Sequence, residues 1–349
     1  MKKVLSFLVA LLLLLAALPA SASEAGEVNL FNWEDYICED ALRLFEEETG
    51  IKVNYMRFTT NEDMLVQVQA DPSSYDVIFP SDYVIERLIA EDLLEELNFD
   101  NIPNAELTLD WLKHTDYDPE ARYSVPYMWG TVGILYNRTM VEAPITSWTS
   151  MWDPTYADNV FMMDSIRDSI GITLKMLGYS MNTRDKDALE AAKEKLVEQK
   201  TLGIVKAYQV DETKDKMIKK EAAMGLMWSG DAAYAISYNP DLVYVVPEEG
   251  SNVWVDAMCV PKGAANKANA EAFINFMCRP DVALLNFEEI LYCTPNTGTI
   301  ELLDEETKAD EVLFPSQETI DRCEFFHDIS SDIRVYDRIW LAVKAARAR

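Results

Sequence analysis

The chain has 349 residues, 49% of them hydrophobic and 26% charged, and carries a net charge of −29. That length exceeds one small domain and suits two α/β domains of ordinary size, while the acidic surplus argues against nucleic acid or an anionic membrane as partner and attracts cations. Two histidines, His114 and His327, and five cysteines with neither a C-x-x-C pair nor zinc spacing are a poor basis for metal or triad chemistry, so no cofactor and no metal is expected.

Residues 1 to 22 open the chain with Lys2 and Lys3, an apolar run from Val4 to Leu18, and Ala20-Ser21-Ala22, the small-x-small pattern of a signal peptidase site. They are expected to form a cleaved export signal, with an uncleaved membrane anchor as the alternative. Their removal takes the net charge from −29 to −31. Cys38 lies too far beyond the cut to be a lipoprotein acylation site, and whether any of Cys38, Cys259, Cys278, Cys293 and Cys323 pair is left open.

Glu27 to Phe31 reads as a strand running into the loop Asn32-Trp33-Glu34-Asp35-Tyr36. Ala41, Leu42, Leu44 and Phe45 then recur at helical spacing up to a capping Gly50. Ile51 to Phe58 is the next strand, Asn61 is expected to cap a helix, and Tyr75 to Pro80 is a third, buried strand. Strand, helix, strand, helix, strand is the pattern of a mainly parallel sheet flanked by helices. Ligands of such sheets bind beyond the carboxyl ends of the strands, which points to the Trp33 loop and to Ser81-Asp82-Tyr83.

Pro126 to Tyr136 is a long apolar run with two glycines, expected to cross between domains. Val160 to Met163 is a short strand, followed by a helix that Asp164 or Ser165 caps and that carries Asp168. A solvated helix from Asp185 to Lys200, a strand from Gly203 to Tyr208 and a helix from Asp211 to Ala223 follow. Gly225 to Gly230 reads as a strand with Trp228 at its end and Asp231 capping the next helix. Leu242 to Val246 leads to Asn252–Pro261, a second crossing strand. After helices at Ala268 to Cys278 and Val282 to Ile290 comes an irregular loop, Leu291 to Asn296, and a tail from Asp304 that is mostly helical, with Ser316 and Asp328 as caps.

In the second crossing strand, alternation puts Val253, Val255, Ala257 and Cys259 on one face and Trp254, Asp256, Met258 and Val260 on the other. Singly, a strand tryptophan is ordinarily core and a strand-end aspartate ordinarily a turn residue. Yet Trp33, Tyr36, Tyr83, Trp228, Trp254 and Tyr292 all fall at strand ends or in the loops that follow, and Asp35, Asp82, Asp168 and Asp256 share that kind of position. Together they describe a cleft of rings and carboxylates, suited to an elongated polycation whose methylenes lie on aromatic faces and whose ammoniums meet acids.

Asn32-Trp33-Glu34-Asp35-Tyr36, Glu48-Thr49-Gly50-Ile51-Lys52-Val53, Tyr75-Asp76-Val77, Pro80-Ser81-Asp82-Tyr83, Pro126-Tyr127-Met128-Trp129-Gly130, Met227-Trp228-Ser229-Gly230, Trp254-Val255-Asp256 and Thr294-Pro295-Asn296 occur in this order, and the set resembles the spermidine/putrescine-binding proteins of bacterial polyamine ABC importers. The resemblance implies a two-lobed periplasmic-binding-protein fold of type II, with residues 27–131 plus 256–300 in lobe 1, residues 132–255 plus 301–349 in lobe 2, and a ligand cleft between them that closes by a hinge. It implies a monomeric, non-enzymatic receptor outside the cytoplasm that hands putrescine or spermidine to a membrane permease and its ATPase. Trp33, Tyr36, Ser81 and Tyr83 match the first-lobe wall; Trp228, Trp254 and Tyr292 match stacking residues; Asp256, Asp168 and Asp35 match amine-binding acids. Ser165, with Asp164 as the alternative match, stands where that pattern has a further acid, and Phe326 where it has a glutamine, so the choice between spermidine and putrescine stays open. The competing expectations are the same fold with another organic cation, and an exported glycoside hydrolase with paired carboxylates.

Overall fold

The computed structural model describes residues 26–347, so the expected export signal, residues 1 to 22, lies outside the described residues. Nine strands form one curled sheet: β1 Glu27–Trp33, β2 Lys52–Phe58, β3 Val77–Ile78, β4 Ser124–Asn137, β5 Val160–Met163, β6 Val205–Gln209, β7 Met224–Trp228, β8 Leu242–Val245 and β9 Val253–Cys259. Their order is β2-β1-β3-β9-β4-β7-β5-β6, with β8 pairing on β4. The helices of seven residues or more are α1 Glu39–Thr49, α2 Asn61–Ala70, α3 Asp82–Ala90, α4 Ile166–Met176, α5 Lys186–Thr201, α6 Glu212–Ile218, α7 Ser229–Tyr238, α8 Lys267–Met277, α9 Pro280–Ile290 and α10 Ile333–Ala345.

The two halves of the sheet are built alike. In the first, β1 lies between β2 and β3 and is parallel to both. Val28 and Leu30 are fully buried, and α1 ends at Gly50, whose left-handed φ of 73° lets its N–H reach the Glu46 carbonyl. In the second, β5 lies parallel to both β6 and β7. Each half has its own apolar interior. One cluster joins Val132, Trp148, Met162, Ile170, Leu196 and Tyr336, and others join Phe45, Phe79, Met128 and Phe273 and Phe31, Ile85, Trp129 and Val255. Each fully buried large apolar side chain adds ~1.5–3 kcal/mol.

Strand β4 ties the halves together. All fourteen of its residues are buried. From Ser124 to Thr131 it runs antiparallel to β9, with a bulge between Pro126 and Met128 where proline supplies no ladder N–H; beyond Val132 it pairs antiparallel with β7 and β8. The first expected crossing, Pro126 to Tyr136, is thus a shared strand, whereas β9, expected as the second crossing, pairs with β3 and with the Ser124–Thr131 part of β4 on the first-half side. A further connection lies beside it. Glu324 N–H donates to the Ser251 carbonyl (2.9 Å) and Val253 N–H to the Glu324 carbonyl (3.1 Å), so the chain on the far side of β9 also passes through this waist.

Several local expectations are corrected. Asn61 does not cap α2: the Thr60 side chain accepts from Asp63 N–H and Asn61 is the first helical residue. Asp231 lies inside the first turn of α7 rather than at its cap, which is Trp228. The helix expected from Asp211 to Ala223 stops at Ile218, because the chain must turn, with Lys220 at φ 62°, before buried Ala222 and Ala223 lead into β7. The tail is less helical than expected: Ser316 does cap a short helix at Gln317–Asp321, but Asp328 caps nothing and α10 starts only at Ile333. All five cysteines are free thiols.

Candidate functional site

Alternation along β9 holds as expected. Val253, Val255, Ala257 and Cys259 pack into one cluster, while Met258 and Val260 pack into another, which leaves Trp254 and Asp256 on the side of the strand that meets the waist between the halves. Asp256 is 6% exposed. Its Oδ1 accepts a hydrogen bond from Ser81 Oγ at 2.5 Å, and the two residues also form an antiparallel bridge. Burial pushes the carboxyl from 3.8 up to about 6, against the downward pull of the Ser81 and Tyr36 hydroxyls. No Lys or Arg lies within ion-pair distance of it among the described residues. An acid that is buried, half-neutral at mildly acid pH and without a protein cation is poised for a cation from outside.

Two tyrosines, Tyr36 and Tyr292, feel the charge of this acid, and Trp254 packs on one of them. Trp254 and Tyr292 meet edge to face at 5.0 Å between centroids, and Tyr36 meets Tyr292 in the same way at 6.0 Å. The Tyr36 hydroxyl is buried and makes no hydrogen bond of ordinary geometry, although the Asp256 carboxylate is its neighbour. Leaving a buried polar group unpaired costs ~1–3 kcal/mol, a cost that a bound donor can remove. Two glycines allow the rings their places. A Cβ on Gly130 would lie 2.6 Å from Cζ2 of Trp254, and one on Gly230 would lie 2.4 Å from the Tyr292 ring.

Of the other expected site residues, Tyr83 joins this group through Asn61, whose amide nitrogen donates to Ser81 Oγ (2.9 Å) and to the Tyr83 hydroxyl (3.1 Å). Trp33 is half-buried, its indole N–H fixed on the Phe79 carbonyl at 2.9 Å, and half-buried Trp228 ends β7. Asp168 lies in the first turn of α4, 6% exposed, where its Oδ2 accepts from the capping Ser165 hydroxyl at 2.5 Å. Burial raises its pKa, while Ser165 and the Arg167 charge offset part of that rise. Asp82 is placed differently from an open ligand: 1% exposed, it accepts from Tyr83 N–H (2.7 Å) and Val255 N–H (3.4 Å), tying α3 to β9. Asp35 is exposed, at φ 50° in the turn after β1.

Residues 41–315 match the family described as bacterial extracellular solute-binding protein. The chain belongs to that family. Its relatives include the spermidine/putrescine-binding periplasmic protein of Escherichia coli K12, 33% identical over 95% of this chain and 96% of that protein, and the putrescine-binding periplasmic protein SpuD of Pseudomonas aeruginosa, 28% identical over 94% of each. In structure the chain is similar to a spermidine/putrescine ABC transporter substrate-binding protein from Streptococcus pneumoniae, with a TM-score of 0.83 and 38% identity over 92% of this chain and 99% of that one. The curled sheet with its shared strand is therefore the two-lobed fold of the solute-binding proteins.

Sequence reasoning missed the part played by three side chains of this solute-binding protein. Asn61 has the residue type of a helix cap, but Thr60 beside it is the cap and the Asn61 amide is free to join Ser81 and Tyr83. Asp231, also read as a cap, is buried with its pKa raised by desolvation and pulled back by Lys214. It accepts from the Tyr292 hydroxyl at 3.4 Å and from Lys214 Nζ at 3.3 Å. Arg167, between Ser165 and Asp168, had no sequence signal to separate it from a surface charge. It is 8% exposed.

Proposed function

We propose that this protein is the extracytoplasmic receptor of an ABC importer that captures a polyamine, putrescine or spermidine, and delivers it to a membrane permease and its ATPase. The observation that carries the reading is Asp256: a buried carboxylate with no protein cation among the described residues, close to Tyr36 and Tyr292, on which Trp254 packs. An ammonium there gains a charge-assisted hydrogen bond to Asp256 and cation–π contact with desolvated rings. Relatives named for spermidine and putrescine binding support the ligand class.

In this reading Trp33, Tyr36, Ser81, Tyr83, Ser165, Asp168, Trp228, Trp254, Asp256 and Tyr292 line or brace the cleft, Asp82 anchors its wall to β9, and Asp35 stands at its rim. The lobes divide as 27–131 plus 256–300 and 132–255 plus 301–349, and closure bends β4 and β9 at the waist. The protein acts as a monomer and no reaction is catalysed. Residues 1 to 22 direct export to the periplasm or cell exterior. Calorimetric titration of ligand-free protein with putrescine, spermidine and spermine tests the reading: micromolar binding of at least one is expected, and no heat and no thermal shift with all three would sink it. Binding of a different organic cation in the same competition would favour the alternative cargo.

A further inference from the structure

Side chains also join the two halves beyond the strands of the waist. The Tyr292 hydroxyl, carried by the first half, donates to Asp231 of α7 at 3.4 Å, where Ala232 and Ala235 pack into the second half beside Leu135 and Phe161. The halves therefore stand in contact across the cleft, in the arrangement that a closed hinge requires.

A second contact lies at α3. Ile85 and Leu88 sink into the interior of the first half, which turns Glu86 away from it. Glu86 Oε2 accepts from Asp328 N–H at 2.9 Å and lies 3.2 Å from Nδ1 of His327, within reach of the imidazole hydrogen. His327 and Asp328 belong to the second half, where Phe326 and Ile329 on either side of them are buried with Tyr336. The segment is braced before Glu86 meets it. His327 N–H donates to Asn182 Oδ1 at 2.8 Å, and the His327 carbonyl accepts from Arg167 Nη1 at 3.0 Å. Arg167 Nη2 donates to the same Asn182 oxygen at 3.2 Å, and its guanidinium carbon lies 5.4 Å from the centre of the Tyr83 ring. Tyr83 and Glu86 stand three residues apart on one face of α3, so a single helix face of the first half rests on one pre-built platform of the second.

Opening the hinge separates α3 from this platform and exchanges its hydrogen bonds for water. Cargo is held by the closed form, so the apparent dissociation constant is the intrinsic one divided by the closed fraction. A contact made only when the halves meet then raises affinity for any cargo without touching it. We propose that Glu86 and His327 are positioning residues that latch the halves together outside the cleft, setting how tightly and how long a cargo is held but not which cargo is chosen. The effect on cargo rests on the polyamine reading; the latch between the halves does not.

The test combines solution scattering of the ligand-free full chain with calorimetry and dissociation rates for putrescine and spermidine, in the parent, Glu86→Ala, Glu86→Gln and His327→Ala. Glu86→Ala is expected to enlarge the ligand-free radius of gyration and to weaken both amines by the same factor, about three- to tenfold or ~0.7–1.4 kcal/mol, through faster dissociation. Glu86→Gln keeps an oxygen for Asp328 N–H and the imidazole and is expected to retain most of the parent's affinity. His327→Ala added to Glu86→Ala is expected to cost less than the two single changes together, because both break one contact. Both side chains are 37% exposed, so neither substitution hollows an interior. Parent-like affinity and dissociation in Glu86→Ala, or a loss confined to one amine, overturns the inference. If neither amine binds the parent, the polyamine reading fails and scattering decides the latch: a Glu86→Ala radius equal to the parent's overturns it.

Discussion

Replacing Asp256 by asparagine should make the empty protein more stable and the binding protein worse. The Asp256 carboxyl is raised from 3.8 to about 6 by burial, and at ~1.4 kcal/mol for each pH unit the buried charge costs about 3 kcal/mol at pH 7. The sign follows from proton linkage. Between 3.8 and about 6 the folded state holds more protons than the unfolded state, so stability falls as pH rises through that window and stays low above it. Asparagine keeps an oxygen for the Ser81 hydroxyl and offers an N–H to the unpartnered Tyr36 hydroxyl, without the charge. Ligand-free Asp256→Asn is therefore expected to gain up to about 3 kcal/mol at pH 7 and little at pH 4, where the parent carboxyl is already neutral. Polyamine affinity at pH 7 should fall by ~2–5 kcal/mol through loss of a desolvated charge partner. Denaturant unfolding of both proteins at the two pH values, with calorimetry at pH 7, reads both effects. A variant no more stable than the parent at pH 7, or equally stabilised at both pH values, would show that the carboxylate is not under this strain.

The same acid sets the pH dependence of binding. Affinity should rise as pH increases through about 6 and be about tenfold weaker at pH 5 than at pH 7, the ratio of ionised fractions; a flat profile over that range would remove Asp256 as the ammonium partner. Ser81→Ala, which deletes the hydroxyl that helps hold this carboxyl down, should move the midpoint of that profile upward, measured by titrating ligand at a series of pH values. Trp254→Ala is expected to weaken binding by ~2 kcal/mol or more, as loss of a buried aromatic anchor does, and unchanged calorimetric affinity would place the indole outside the ligand's reach. Gly230→Ala puts a methyl 2.4 Å from the Tyr292 ring and should cost ~1–3 kcal/mol in stability by overpacking, with weaker binding because the ring must move; an unfolding midpoint and an affinity equal to the parent's would contradict that close contact.

Much of this was legible along the chain because it depends on local periodicity. The three parallel strands of the first half, the Pro126 to Tyr136 run inside the longer crossing strand Ser124–Asn137 and the two faces of β9 follow from apolar spacing, which burial enforces directly. Trp254 and Asp256 share a face for the same reason. What periodicity does not carry is the choice between near-equivalent polar neighbours: Thr60 over Asn61 as the cap, or Trp228 rather than Asp231 at the start of α7. A cap depends on one backbone angle and one hydrogen bond, and residues on either side compete for it with similar energies.

The division of labour among the acids was decided only by tertiary structure. In the sequence, Asp82, Asp168, Asp231 and Asp256 are alike as carboxylates near strand ends. In the fold, Asp82 receives N–H groups from its own helix and from β9, Asp231 receives a lysine from the preceding helix, and Asp168 a serine one turn away and an arginine beside it. Asp256, the acid on which the first sign of a cation site rested, is the one left facing rings. The sequence by itself determined that Trp254 and Asp256 share one face of β9, because alternation is local. Which partners each acid has was decided by contacts from remote segments, because a carboxylate's charge state depends on the burial and neighbours that the completed fold brings to it.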